Sequence, residues 1–190
     1  MKIGLYFGSF NPIHIGHLII ASHVMNNTDL KKIWFIVSPQ NPLKQSHSLL
    51  NEYDRLHLVR IATEENLAFT SSDVEFRLPR PSYTIDTMAY LREKNRSDEF
   101  SVIMGSDSFQ NIHKWKNADK LLSQNNLVVY TRPGFEVESA APNITVLADA
   151  PLLQISSTMI RNYIRQGKSI KYLVPDVVEK EIIHSGYYRK

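Results

Sequence analysis

Residues 8–17 read Gly-Ser-Phe-Asn-Pro-Ile-His-Ile-Gly-His and follow directly on the apolar run of residues 2–7. Gly8 and Ser9 permit a tight turn with exposed backbone N–H groups, and a helix-like pattern begins at about residue 16. His14 and His17 stand three residues apart, so both can face the same side of a helix start. Because a helix N-terminus preceded by free donors attracts anions, this junction predicts a phosphate site. It matches neither the G-x-G-x-x-G nor the G-x-x-x-x-G-K phosphate loop.

The strand-then-helix pattern recurs along the chain. Strands are predicted at residues 2–7, 33–38, 74–78, 100–104, 127–130 and 144–147. Helices are predicted at residues 16–25, 84–94, 118–123, 156–166 and 175–185, and after an Asn51 cap to residue 65. Apolar strands alternating with helices are typical of a parallel sheet that is covered on both faces. We therefore predict an α/β fold, a doubly wound (Rossmann-like) parallel sheet with helices on both faces and a helical C-terminal extension.

The predicted domain organisation is a single domain over residues 1–190, with residues 156–190 as its C-terminal helical part. In such sheets, ligands bind at the carboxyl ends of the strands, near the point where the strand order reverses. The residues that follow the strands are therefore the candidate site residues.

Composition excludes several classes of protein. The 190 residues include no cysteine, which excludes a disulfide scaffold, a cysteine-based zinc site and a cysteine nucleophile. The net charge is +3, and most of the lysine and arginine residues are scattered among aspartate and glutamate residues. The sequence therefore has no basic stripe, and we expect no nucleic-acid partner. Apolar stretches are too short for a membrane span, and no signal peptide is expected, so we predict a cytoplasmic protein without a membrane partner.

A second anion site is predicted near the C-terminus, where residues 155–161 read Ile-Ser-Ser-Thr-Met-Ile-Arg. Ser156 to Thr158 are N-cap residue types, and Arg161 lies one turn into the helix, on the face of Ser157 or Thr158. Two phosphate-type sites in one chain indicate a triphosphate ligand. Each motif alone could be an ordinary cap, and metal binding by the histidines lacks a third ligand nearby, so no protein metal site is predicted.

The His-Ile-Gly-His stretch and residues 155–161 together resemble the nucleotidyltransferase superfamily. Residues 81–87, 105–107, 114–115, 132–134 and 172–175 look more narrowly like the bacterial nicotinate-mononucleotide adenylyltransferases. This chain departs from that pattern at two positions. Phe7 stands where many members have a second glycine, and Lys116 replaces the tyrosine that often follows the tryptophan.

The resemblance implies adenylyl transfer from ATP to nicotinate mononucleotide, with Mg²⁺ bound through the ATP phosphates. The implied catalytic residues are His14, His17, Lys44 and Arg161. The implied ATP-binding residues are Gly8, Ser9, Phe10, Gly105, Asp107, Ile155, Ser156, Ser157 and Thr158. The implied mononucleotide-binding residues are Tyr83, Thr84, Trp115 and Arg132. The histidine and arginine sites are expected to be helix starts at the surface.

Alternatives remain open at this point. An adenylyltransferase for the amidated mononucleotide would differ only in the pyridine substituent, and a nucleotide-sensing module would keep the fold without turnover. Trp115 could belong to the core, Asp107 and Thr84 could be ordinary helix-start residues, and Lys44 could be a surface lysine. A homo-oligomer is suggested by the resemblance alone.

Overall fold

The computed structural model describes residues 1–40, 49–137, 141–151 and 153–189. These residues form one six-stranded sheet, in which every neighbouring pair of strands is parallel. In chain order the strands are β1 (Lys2–Gly8), β2 (Lys32–Val37), β3 (Phe69–Ser72), β4 (Glu99–Gly105), β5 (Asn126–Tyr130) and β6 (Ile144–Leu147). The strand order is β3-β2-β1-β4-β5-β6, so the order reverses between β1 and β4. The prediction of a doubly wound parallel sheet is confirmed.

The described residues also form seven α-helices and two short 3₁₀-helices. The α-helices are α1 (Ile15–Asn27), α2 (Glu52–Thr63), α3 (Thr84–Lys94), α4 (Ser106–Gln110), α5 (Ala118–Gln124), α6 (Ser157–Arg165) and α7 (Asp176–Ser185). The 3₁₀-helices cover Val74–Arg77 and Ile112–Lys114. Asn51 caps α2 as predicted, because its side chain accepts the Tyr53 N–H at 2.9 Å. Over the described residues, none of these helices combines the length and the apolar character that a membrane crossing requires.

Two apolar cores cover the two faces of the sheet. Successive strand residues point to opposite faces, so Tyr6 and Ile103 join one core while Leu5 and Met104 join the other. The first core includes buried residues of α1, α2, α6 and α7, and the second includes buried residues of α3 and α5. The C-terminal helices therefore pack on the same face as α1, which is the helix that begins beside the His14 motif.

The strand predicted at residues 74–78 is wrong. The third strand lies earlier, at Phe69–Ser72, and pairs with β2 from Ile33 to Ile36. The chain then turns, because Ser72 Oγ accepts the Val74 N–H and Asp73 O accepts the Phe76 N–H. A strand at the sheet edge has a neighbour on one side only, so it needs no continuous apolar run. The polar sequence of β3 therefore gave no strand signal, whereas residues 74–78 alternate between apolar and polar side chains, which is the pattern of a strand.

Candidate active site

A cleft of about 950 Å³ opens at the carboxyl ends of β1 and β4, where the strand order reverses. It collects most of the residues predicted to bind ATP or to act in catalysis. Those that line it are Gly8, Ser9, Phe10, His14, His17, Gly105, Asp107, Ile155, Ser156, Ser157, Thr158 and Arg161. Trp115 and Arg132, predicted to bind the mononucleotide, line it as well. Lys44 lies outside the described residues. Two motifs that are more than 130 residues apart in sequence therefore share one cavity.

The two histidines stack on each other at the start of α1, with ring centroids 3.7 Å apart. His14 is only 7% exposed, so the expectation that this helix start lies at the surface is wrong for it. Burial, and secondarily the charge of Arg132, lowers the pKa of His14 to about 4. Burial lowers the pKa of His17 well below 6.5, with smaller contributions from His14 and Arg132. Both imidazoles are therefore neutral at pH 7.

The hydrogen bonding of His17 fixes its tautomer. Its Nδ1 accepts the backbone N–H of His14 at 3.2 Å. Because a neutral imidazole carries one proton, that proton is on Nε2, which makes Nε2 a donor. The Nδ1 atom of His14 is buried and has no partner among the described residues. The pair thus offers hydrogen-bonding capacity that the protein itself does not use.

Phe10 shapes the loop that precedes the histidines. Its backbone adopts φ 43°, in the left-handed region that is unfavourable for a bulky residue. The ring is buried and packs edge-on against Tyr6 and His17, with centroids 5.9 and 5.1 Å away. A Cβ at Gly8 would lie 2.9 Å from this ring, so Gly8 is required by the close approach of Phe10. Packing therefore holds the loop in a conformation that local preference disfavours.

The start of α6 is tied directly to the first motif. Arg161 Nη1 donates to the carbonyl of Asn11 at 2.7 Å, and Ser157 Oγ donates to the carbonyl of Pro12 at 2.8 Å. Ser156 is the N-cap and accepts the Met159 N–H at 3.2 Å. Arg161 also donates from Nη2 to Thr158 Oγ1 at 3.2 Å, which confirms that these two side chains share a face.

The hydrogen bonds between α6 and the first motif leave some donors at the start of α6 available to a ligand. The hydroxyls of Ser156 and Ser157 are engaged within the protein, whereas the first backbone amides of α6 have no acceptor inside their own helix. Arg161 Nε is buried and lacks a hydrogen-bond partner among the described residues. Amides and a guanidinium that converge on a cavity are suited to phosphate oxygens.

Asp107 and Arg132 form an ion pair across the ends of β4 and β5. Arg132 Nη1 lies 3.4 Å from Asp107 Oδ2, and its Nη2 donates to the Tyr130 hydroxyl at 3.2 Å. Asp107 lies in the first turn of α4 and Gly105 takes the N-cap position, so Asp107 is itself not the cap. A Cβ at Gly105 would lie 2.5 Å from Asp107 Oδ1 and 3.0 Å from Arg132 Nε. Gly105 therefore leaves the space that this pair occupies.

A second, smaller cavity of about 130 Å³ adjoins the cleft and shares Phe7, Gly8 and Trp115 with it. Tyr83 and Thr84 line this cavity, and Thr84 is the first residue of α3. The structure therefore places these two predicted residues apart from Arg132, with Trp115 at the boundary. Trp115 is half-buried and also packs against the second core, so it combines a packing contact with a position in the cavity wall.

Phe7 accounts for one departure from the family pattern. It lies in the wall between the two cavities and packs against the second core. A glycine at this position would leave that wall without a side chain. The bulk of Phe7 therefore helps to define the smaller cavity.

Sequence reasoning missed two buried charged residues at the site. Glu75 lines the smaller cavity, is 2% exposed, and accepts hydrogen bonds from Ser82 Oγ at 2.7 Å and Thr87 Oγ1 at 2.9 Å. Burial raises its pKa, and the hydroxyl donors partly oppose that change. The sequence pattern predicts a strand over residues 74–78, which does not indicate that the carboxyl group of Glu75 faces a cavity.

Arg55 is the other missed residue. It is fully buried in α2, and its guanidinium donates to the carbonyls of Ser9 at 2.5 Å, Ser38 at 2.8 Å and Pro39 at 3.0 Å. It thereby holds together the loops that follow β1 and β2. An arginine in an amphipathic helix usually faces solvent, so the sequence pattern carried no signal for this role.

Comparison with known proteins agrees with this geometry. A family model described as cytidylyltransferase-like matches residues 5–163. A protein of Flavobacterium psychrophilum named "probable nicotinate-nucleotide adenylyltransferase" is 48% identical over 193 residues, with both chains covered in full. A protein of Porphyromonas gingivalis with the same name is 36% identical and covers 98% of this chain and 95% of its own.

Solved structures agree on the fold. A Plasmodium falciparum nicotinic acid mononucleotide adenylyltransferase complexed with NaAD superposes with a TM-score of 0.84 at 21% identity. The match covers 98% of this chain and 97% of that one. The identities, their full-length coverage and the family model lead to one conclusion. The chain belongs to the cytidylyltransferase-like family and, within it, to the family of the nicotinate-nucleotide adenylyltransferases.

Proposed function

We propose that the protein transfers the adenylyl group of ATP to nicotinate mononucleotide, giving nicotinate adenine dinucleotide and pyrophosphate. The observation that carries this proposal is the junction of the two motifs. Arg161 and Ser157 bond to the carbonyls of Asn11 and Pro12, which brings the donors of α6 and the imidazoles of α1 to one cleft. Such a cleft suits a chain of phosphates that runs from one motif to the other.

The reaction requires positioning more than acid–base chemistry. A nucleotide phosphate has its second pKa near ~6, so the mononucleotide is largely dianionic at pH 7 and needs no general base. One of its oxygens attacks the α-phosphorus of ATP in line, a new P–O bond forms, and the bond to the bridging oxygen of pyrophosphate breaks. The neutral state of both histidines is consistent with donors that stabilise charge and do not remove a proton.

We assign roles to the described residues accordingly. His17 Nε2 donates to the α-phosphate, and His14 lies beside it at the same helix end. The amides of Ser157 and Thr158, together with Arg161, hold the β- and γ-phosphates and stabilise the leaving pyrophosphate. Lys44 keeps its proposed contact with the phosphates or the attacking group as a prediction from the sequence.

The remaining cleft residues are assigned to the nucleoside and to the second substrate. The carboxylate of Asp107 is proposed to accept a ribose hydroxyl, while its ion pair with Arg132 holds that guanidinium near the phosphate of the mononucleotide. Gly8, Ser9, Phe10, Gly105, Ile155 and Ser156 are proposed to surround ATP.

The pyridine ring is assigned to the smaller cavity. Trp115 offers its face to the ring, and the amides at the start of α3, beside Tyr83 and Thr84, offer donors to the pyridine carboxylate. This cavity of about 130 Å³ is close in volume to a protein cavity of about 150 Å³ that binds benzene. Ring and phosphate would then lie on either side of Trp115, which lines both cavities.

Mg²⁺ is proposed to bind through the phosphate oxygens of ATP. Within residues 1–40, 49–137, 141–151 and 153–189, no group of three or more His, Asp or Glu side chains could hold a metal ion. Asp107, the carboxylate in the cleft, is already paired with Arg132. The residues present therefore fit an ion that keeps phosphate and water ligands. When bound, Mg²⁺ neutralises charge on the triphosphate.

Other expectations stay predictions. The contacts of α6 with the first motif support the single-domain interpretation, since the C-terminal helical part completes the cleft. Cytoplasmic location and a homo-oligomeric state rest on the sequence and the family resemblance.

Release of pyrophosphate tests the proposal. The protein is incubated with Mg-ATP and either nicotinate mononucleotide or its amide, and pyrophosphate is measured in each reaction. We expect release with the acid and much slower release with the amide. Faster release with the amide would favour the amide-specific alternative, and ATP binding without release would favour the sensing module.

A further inference from the structure

We propose that Lys116 is a specificity-determining residue, which uses its charge to favour the carboxylate of nicotinate mononucleotide over the carboxamide of the amide. This inference rests on the proposed function, because it concerns the pyridine substituent of that substrate. It concerns the position at which this chain has lysine where the family often has tyrosine. A tyrosine side chain could not supply a positive charge at neutral pH.

Lys116 is held at the smaller cavity by two residues of α3's first turn and cap. Its ammonium lies 2.8 Å from Asp86 Oδ2 and 4.7 Å from the centroid of the Tyr83 ring. Lys116 lines the cavity and Asp86 does not, so Lys116 is the member of the ion pair that forms part of the cavity wall. The ammonium is thereby placed at the same end of α3 as the backbone amides proposed to bind the pyridine carboxylate.

The charges around the cavity explain why a cation is needed there. Glu75 lines the same cavity, and the hydrogen bonds that it accepts come from the uncharged hydroxyls of Ser82 and Thr87. Its carboxyl group therefore gives the cavity no positive charge that could hold a ligand carboxylate. The N-terminus of α3 contributes only about half of a positive charge. Asp86, in the first turn of that helix, carries the opposite sign. Lys116 offsets the charge of Asp86, so without Lys116 the helix end would no longer favour a ligand carboxylate.

Lys114 is the other cation that lines the cavity, and its geometry is less favourable. Its ammonium donates at 2.8 Å to Oδ1 of Asn111, the residue that caps its own 3₁₀-helix, and Asn111 does not line either cavity. Lys114 is thus drawn toward its own segment, whereas Lys116 is drawn toward α3. This difference assigns the larger effect on a pyridine substituent to Lys116.

The expected effect is moderate, because the Lys116 side chain is 44% exposed and its charge is partly screened. Replacing Lys116 by methionine keeps much of the aliphatic stem over Tyr83 and removes the charge. We expect the ratio of kcat/KM values for acid over amide to fall by about three- to tenfold. The loss should come from the acid substrate, and Lys116→Arg should restore most of the ratio because it keeps the positive charge.

The experiment measures both turnover and binding. Steady-state rates of pyrophosphate release are recorded with each mononucleotide at saturating Mg-ATP, in low and in high salt. Calorimetric titration then gives the Kd of each mononucleotide without turnover. The variants are K116M, K116R, K114M and the matched control K120M, which removes an exposed lysine of α5 that lines neither cavity.

The inference is supported if K116M lowers the acid preference in both rate and Kd and K120M leaves it unchanged. High salt should then lower the preference in the wild type, K116R and K120M, and have little effect in K116M. It is overturned if K116M keeps the ratio within about twofold, weakens both mononucleotides equally, or affects the ratio less than K114M does. A wild-type protein that releases no pyrophosphate but shows a Lys116-dependent difference in Kd would refute the proposed reaction and leave the specificity role intact.

Discussion

Replacement of His17 by asparagine separates the hydrogen bond that the ring accepts from the His14 backbone from the one that it is proposed to donate to the α-phosphate. Nδ1 of the native ring accepts the His14 backbone N–H at 3.2 Å, which leaves Nε2 to donate into the cleft. The amide oxygen of an asparagine can take the place of Nδ1, but its side chain is too short to reach the place of Nε2. His17→Asn should therefore preserve the start of α1 and lose the donor to the α-phosphate.

The two losses have different magnitudes and different readouts. Loss of one donor to the transition state costs about 10²–10³ in kcat, equivalent to ~3–4 kcal/mol. Loss of the acceptor, as in His17→Ala, leaves a part-buried N–H without its partner and costs about 1–3 kcal/mol of folding stability. His17→Asn should thus lower kcat with little change in stability, whereas His17→Ala should lower both.

Pyrophosphate release at saturating substrates gives kcat, and urea unfolding monitored by circular dichroism gives the free energy of unfolding. His17→Gln is the informative control, since its amide nitrogen can approach the position of Nε2 and should recover part of the rate. Turnover near that of the wild type in His17→Asn would refute the donor role. A large loss of stability in that variant would show that the ring acts mainly in packing.

Three further predictions concern Arg161, Trp115 and His14. Arg161→Ala should lower kcat by about 10²–10³, because it removes the guanidinium that joins Asn11 to the phosphate site, and unchanged pyrophosphate release would contradict this role. Trp115→Ala should weaken nicotinate mononucleotide binding by ~1–3 kcal/mol in calorimetry and leave ATP binding nearly unchanged; a large stability loss with intact affinity would instead place Trp115 in the core. The pKa of His14 is lowered from 6.5 to about 4 in the folded protein. Between these pH values the imidazole of His14 is protonated in the unfolded state and neutral in the folded state, so the free energy of unfolding falls as pH drops from about 6.5 to about 4. Burial lowers the pKa of His17 as well, so the His14 contribution is the difference between the wild type and His14→Asn in denaturant titrations at successive pH values. That difference should amount to about 3 kcal/mol, and an equal loss in both proteins would exclude His14 as a source.

Substrate preference of the wild-type protein gives a further prediction, which rests mainly on the start of α3. Donors at the start of α3 favour a negative charge and meet the donors of a carboxamide unfavourably. We therefore expect the acid mononucleotide to exceed the amide by at least ~10² in kcat/KM, equivalent to ~2.7 kcal/mol. Equal efficiency with both substrates would contradict the placement of the pyridine substituent at this helix end.

Local patterns were sufficient for most of the fold. Apolar runs predicted β1, β2, β4, β5 and β6, and Asn51 marked the start of α2. These features depend on residues that are near one another in the chain, so propensity and capping carry the information. The edge strand β3 could not be recognised in this way, because its polar residues depend on pairing with β2.

The residue types at the site were also evident from the sequence, since His14, His17 and Arg161 belong to motifs with a stated spacing. Their environment was not. The lowered pKa of His14 comes from burial and from Arg132, a residue more than 100 positions away, and no local pattern encodes such a contact.

The sequence by itself thus determined the strand–helix alternation and the donors available for phosphate. Only the tertiary structure decided that α6 meets the Asn11–Pro12 segment, that Arg55 holds the first two loops, and that Glu75 faces the smaller cavity. The physical reason is that hydrogen-bond satisfaction of buried groups is settled by whichever distant segments pack together. Composition and periodicity describe one segment at a time, whereas the charged groups of the cleft come from several segments that meet only in the folded protein.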